Sequence, residues 1–142
     1  MADPNDAVGA FFASYLAAFE KQDRPSLAEH FAFPCHVSGD SGEIALSVVA
    51  SADEYLRAIE PLFRHYRRLG VARGIIRTTR LVPLSERLAL CFVDWDVRRR
   101  DGHTIYTHEA SYTLVARGGH WGISTIAFNE LAKIKALVPA VS

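Results

Sequence analysis

His108, His36 and Tyr15 are the residues of this chain whose side chains could carry a proton or hold an oxyanion inside a small apolar site. An imidazole with its ordinary pKa near about 6.5 exists in both forms close to neutral pH, so it can act as general base or general acid. A phenol O–H in apolar surroundings can donate to an oxygen on which negative charge develops. Each has a structural alternative that stays open: the imidazoles could satisfy main-chain carbonyls or sit at a rim, and the tyrosine could be amphipathic core. Asp94, Asp96 and Glu109 form a second group. On an enclosed face they would be an acid/base pair or metal site; on an open one, a solvated or dimer surface neutralised by Arg98 and other arginines. His30, His65 and His120 fall on helix or turn segments, and no H-x-H or H-E-x-x-H spacing suggests zinc, so no metal is expected. No glycine loop cradles a phosphate after a strand, and the chemistry open to these side chains needs no cofactor.

Hydrophobic spacing marks out the elements that must position these side chains. Val8, Phe11, Phe12, Tyr15, Leu16 and Phe19 predict a helix over about 6–21, capped by Asn5 or Asp6 and ended by Gln22-Asp23-Arg24-Pro25. A second, short helix is expected over 26–31, with Leu27, Phe31 and Phe33 as its apolar face and Pro34 closing it. Extended pieces at 36–38 and 43–49 flank Gly39-Asp40-Ser41-Gly42 and predict a small hairpin. Ser51 with Glu54 has the form of a capping box, and Tyr55, Leu56, Ile59, Leu62, Phe63 and Tyr66 continue at helical spacing to Leu69. Pro61 predicts a kink or break in that helix, and Gly70 its end. Four strands follow, over about 73–82, 87–99, 104–116 and 121–128. Leu131, Ile134, Leu137 and Val138 then have the weak helical spacing of a tail lying across one end of the sheet. This order predicts a single α+β domain, 1–142, with three N-terminal helices packed on a curved, mostly antiparallel sheet and a C-terminal helical tail.

The faces of the long hairpin follow from its turn. A two-residue turn at Asp101-Gly102 pairs Trp95 with His108, Val93 with Ala110 and Cys91 with Tyr112. One face then carries Trp95, Tyr106, His108 and Tyr112; the other carries Asp94, Asp96, Glu109 and Arg98. Aromatic rings gain from burial and isolated carboxylates lose, so the first face is assigned to the concave side. The wall of the expected pocket is therefore Tyr15, His36, Trp95, His108 and Tyr112, with Tyr55 from the third helix and Asn129 at the end of the last strand as further ligand contacts. Asn129 with Glu130 could instead simply cap the tail helix.

Composition removes several classes of function. With 142 residues, 49% of them hydrophobic, the chain has material for one core and no second domain. Sixteen basic and sixteen acidic side chains leave no net field to hold nucleic acid. Cys35 and Cys91 are expected to be reduced core thiols. Met1–Asn5 lacks the pattern of a secretory leader and no segment has the roughly 18 apolar residues of a membrane span, so a cytoplasmic location without membrane association is expected.

The order of elements, with Tyr15-Leu16-Ala17-Ala18-Phe19 ending at Asp23, Leu27 to Phe31, Tyr112-Thr113-Leu114-Val115 and Gly119-His120-Trp121-Gly122-Ile123, resembles the NTF2-like superfamily, which includes ketosteroid isomerases, SnoaL-type cyclases and scytalone dehydratases. Tyr15 matches the isomerases' oxyanion-donating tyrosine. Their base aspartate falls at about Gly39, beside Asp40, and their second aspartate at about Ala110 or Ser111. Steroid isomerisation by that two-aspartate mechanism is therefore not expected. His36, His108 and Asn129 resemble, in residue type, the histidine pair and asparagine of scytalone dehydratases. What the resemblance implies is a pocket that binds or converts a small hydrophobic carbonyl compound by isomerisation, dehydration or cyclisation, in a homodimer. The alternative is a non-catalytic ligand-binding or dimerisation module.

Overall fold

The computed structural model describes residues 4–138, in the order α1 (Pro4–Glu20), α2 (Arg24–Ala28), β1 (Phe31–Asp40), β2 (Ile44–Val49), α3 (Ala52–Leu69), β3 (Val71–Ser85), β4 (Leu88–Arg99), β5 (Thr104–Arg117), β6 (His120–Phe128) and α4 (Glu130–Leu137). The leader expectation for Met1–Asn5, and Asn5 as a helix cap, fall on residues whose side chains lie outside the described set. Two helices, not three, precede the sheet: the β1–β2 hairpin separates α2 from α3. The six strands form one curved sheet in the order β2-β1-β6-β5-β4-β3, antiparallel except where β1 and β6 run parallel.

Local chemistry accounts for the boundaries. The Asp23 carboxylate accepts from the Ser26 N–H at 3.2 Å and the Ser26 hydroxyl at 2.7 Å, starting α2 two residues earlier than its apolar spacing predicts. Phe31 and Phe33 belong to β1 rather than to that helix, because main-chain pairing with β6 outweighs their helical spacing; Ile123 N–H donates to the His30 carbonyl at 2.9 Å. Pro34 sits where the β1–β6 register slips between Phe31 and His36, a place where a strand tolerates a residue without an N–H. Ser51 caps α3 by accepting from the Glu54 N–H at 3.2 Å, and the Glu54 carboxylate reaches back to the Ala50 N–H at 2.7 Å. α3 continues through Pro61 without a break. Pro61 and Arg57 are both exposed, so water can serve the carbonyl that proline leaves unpaired, while Phe63 and Tyr66 hold the following turn in the core.

The β4–β5 register is the one the sequence predicts, Trp95 opposite His108 and Cys91 opposite Tyr112, but the turn that sets it is different. Arg99 N–H donates to the His103 carbonyl and Gly102 N–H to the Arg99 carbonyl, with Gly102 at φ +91°, so three residues make the turn. A bulge between Val97 and Arg98 absorbs the extra residue and restores the pairing.

Two groups of buried side chains share the interior. Leu27, Phe63, Tyr66 and Ile134 gather α2, α3 and α4; Val8, Phe12, Cys91, Trp95, Tyr112 and Leu114 gather α1 and the sheet. Tyr15, Phe31, Phe33 and Val37 pack against both. Helices on one side and the bent sheet on the other cannot close completely along this seam, and the cavity lies there.

Candidate functional site

The cavity has a volume of about 280 Å³, near the lower end of small-molecule sites at roughly 300–1,000 Å³. Leu16, Phe19, Leu62, Phe63, Ile126 and Phe128 supply apolar wall; Tyr15, Tyr55, Tyr66, His108, Tyr112 and Glu130 bring polar atoms to it. Strand alternation selects the contributors: Cys35 and Val37 of β1, Trp95 and Val97 of β4, and His108 and Tyr112 of β5 point inward. Glu130 is the first residue of α4, and its i+4 neighbour Ile134 is buried, so the helix presents the carboxylate on its inner side.

Glu130 organises the polar end. It is 5% exposed, and its Oε2 accepts from the Tyr66 hydroxyl at 2.8 Å and the Tyr106 hydroxyl at 2.7 Å. These two bonds and the positive end of the α4 dipole offset the cost of enclosing a carboxylate. His108 Nε2 stands 3.5 Å from the same oxygen, longer than a normal hydrogen bond. His108 Nδ1 is buried and makes no hydrogen bond of normal length to a described residue. Burial, with the charge on Glu130 adding to it, pushes the Tyr15 hydroxyl well above the ordinary phenol range, so it remains a donor at neutral pH. Trp95 Nε1–H donates to the Tyr112 oxygen at 2.9 Å, and the buried Tyr55 hydroxyl has no partner among the described residues. Burial raises the thiols of Cys35, on the cavity wall, and Cys91 to about 11, leaving both protonated at neutral pH.

Burial lowers the pKa of His108, against a smaller upward pull from Glu130 and the Glu109 main chain. The unfolded imidazole therefore takes a proton first as pH falls, and more protons bind to the unfolded chain. The stability that comes from keeping His108 neutral is complete above pH about 6.5 and is lost as pH drops through the lower folded-state value. Urea unfolding at a series of pH values is expected to show a shallower acid-side loss in His108→Gln than in the parent. Parallel curves would contradict it.

The structure brings Tyr15, Tyr55, Trp95, His108 and Tyr112 to one cavity and leaves two of the expected residues out. His36 is exposed: Cys35 and Val37 on either side of it face inward, and strand alternation turns it to the outer surface. Asn129 does not line the cavity; its Oδ1 accepts from the Glu109 N–H at 2.9 Å and its Nδ2 donates to the Glu109 carboxylate, joining β6 to β5. A histidine pair with an asparagine is therefore not assembled. Asp40 is exposed and accepts from Gly42 N–H in its own turn. Asp94 and Glu109 pair on the sheet face turned away from the cavity; Asp96 is on that face too but only 6% exposed, its carboxylate enclosed by hydrogen bonds from Arg98 and Thr104, with Arg98 holding it below its usual range. Among the described residues no three potential ligands converge on a metal site, and no helix is long and apolar enough to cross a membrane.

Sequence reasoning puts Tyr106 on the concave face, Tyr66 on the apolar stripe of α3 and Glu130 at the end of the last strand, but gives none of them a role at the site and misses that they meet. A signal is present: Glu130 shares the i, i+4 face of the tail with Ile134, and a glutamate on an apolar stripe faces inward with it.

A bent six-stranded sheet closed by helices around a cavity defines the NTF2-like class of α+β proteins. The family model described as NTF2-like protein (DUF6841) matches residues 5–130, and the chain belongs to that family. Among solved structures it is similar to an NTF2-like protein of unknown function from Shewanella oneidensis MR-1, at 17% identity and TM-score 0.70, over 89% of this chain and 99% of that one. It is also similar to Aln2 from a Streptomyces species, at 14% identity and TM-score 0.69 over 99% of both chains. A protein from Catenulispora acidiphila, in complex with S-DNPA, shares 12% identity at TM-score 0.66, over 88% of this chain and 91% of that one. At these identities the likeness shows the fold alone. No curated protein matches the sequence at a significant level.

Proposed function

We propose that the cavity binds a small, largely apolar carbonyl compound and that His108, oriented by Glu130, moves a proton on it. The observation that carries this reading is the meeting of His108 and Glu130, 3.5 Å apart, at one end of an otherwise apolar enclosure. The proton on the carbon next to the carbonyl passes to the His108 imidazole. Its electron pair moves into the carbonyl, and the enolate oxygen accepts from the Tyr15 hydroxyl. The Glu130 carboxylate stabilises the imidazolium until the proton returns to carbon. Isomerisation, dehydration and aldol-type cyclisation all share this first step.

The test is deuterium uptake from D2O at the α-carbon of a panel of cyclic aryl ketones, followed by proton NMR. The protein is expected to accelerate exchange for ketones that bind, and His108→Ala to lower that rate by roughly 10²–10⁴-fold. Binding with exchange at the buffer rate would refute the proton-transfer role and leave the second reading, a ligand-binding or dimerisation module. That second reading draws support from Ile44, Leu46, Val48 and Phe92, large apolar side chains exposed on the outer sheet face and suited to a homodimer contact. Sedimentation of the protein alone reads the dimer; a monomer at high concentration would remove it.

A further inference from the structure

The buried carboxylate of Glu130 has no cationic partner among the described residues. His108 is the one described group that could become a cation within 4.0 Å of it, and burial keeps that imidazole neutral. Lys133, one turn along α4, is half-exposed and makes no ion pair with it. Among the described residues no lysine or arginine lines the cavity. The two phenol bonds fall on Oε2, and Oε1 accepts no hydrogen bond from a described residue. The rings of Tyr15, Phe19, Tyr66 and Trp95 line the same cavity, and the π-face of an aromatic ring attracts a cation. Beyond the larger effect of burial, the Glu130 charge raises the hydroxyls of Tyr15, Tyr66, Tyr106 and Tyr112, so its field spans the cavity rather than ending at one contact.

From this arrangement we infer that the ligand carries a protonated amine or other cationic nitrogen, received by Glu130 and the surrounding rings, on an apolar body. An uncompensated charge in a low-dielectric enclosure attracts an opposite charge far more strongly than the same carboxylate does in water. A neutral ligand would leave that charge unpaired, and an anionic one would be repelled by it. The inference rests on the cavity being the ligand site proposed above, not on the proton transfer to His108 there, and adds the sign of the ligand's charge.

Three probes of one shape test it at pH 7 by calorimetry: naphthalene-2-methylamine, 2-naphthalenemethanol and 2-naphthoate, with 2-acetonaphthone as the neutral ketone. The amine is expected to bind roughly tenfold or more tightly than the alcohol, and the carboxylate to bind weakest. Glu130→Gln keeps the shape and the two tyrosine donors, and is expected to abolish the preference for the amine over the alcohol. The order of the three probes on the unmodified protein tests the charge preference without any variant. An alcohol that binds as well as the amine, or a preference that survives Glu130→Gln, overturns this inference and leaves the carbonyl reading standing if the ketone binds. Failure of all four to bind overturns both.

Discussion

Replacing Phe63 with alanine is expected to lower the free energy of unfolding by about 3–5 kcal/mol, read from the urea midpoint at unchanged slope. Phe63 is 2% exposed and packs edge-on against Tyr66 at 5.2 Å between ring centroids, with Phe19 at 6.2 Å and the Arg24 guanidinium over its face. It also forms part of the cavity wall. Truncation would join the space it leaves to the existing cavity, where water or a larger ligand can enter. A cost under about 1 kcal/mol would show that α3 relaxes inward, and that this wall does not depend on a fixed ring.

The second large effect concerns the support of Glu130. Tyr66→Phe and Tyr106→Phe each remove one O–H donor from a buried carboxylate, and hydrogen bonds to charged groups are worth about 1.5–3 kcal/mol. In a Glu130→Gln background the same changes are expected to cost only the roughly 0.5–1.5 kcal/mol of a neutral bond. The difference between the two backgrounds is the coupling energy, measured by a double-mutant cycle at pH 7. Equal costs in both would mean that the carboxylate gains nothing from its two phenols as a charge, and the account of how a buried acid is tolerated here would fail.

Much of the architecture is legible because it depends on near neighbours in sequence. The α1 stripe, the α3 cap and the β4–β5 register follow from helical period, a serine followed by glutamate, and strand alternation about a tight turn. The register is right although the turn is not: the extra residue of a three-residue loop is cancelled by a bulge, and such cancellation leaves no mark in the pattern. Phe31 and Phe33 are misplaced by their spacing because helical period is a weak preference, and the partner that draws them into a strand lies about ninety residues away in β6.

The candidate site divides in the same way. Sequence alone determined the α+β class and the aromatic concave face with Trp95, His108 and Tyr112, since those rings gain from burial; Asp96, expected on an open face, is instead buried under Arg98 and Thr104, which only the fold shows. Tertiary structure alone decided that His36 faces outward, because one residue of phase in β1 reverses every side chain and the irregular pairing near Pro34 hides that phase. It alone decided that Glu130 meets Tyr66, Tyr106 and His108, since those four side chains come from α4, α3 and β5 and nothing local brings them together. A buried carboxylate is costly wherever it stands, and only the folded chain shows the donors that make this one tolerable.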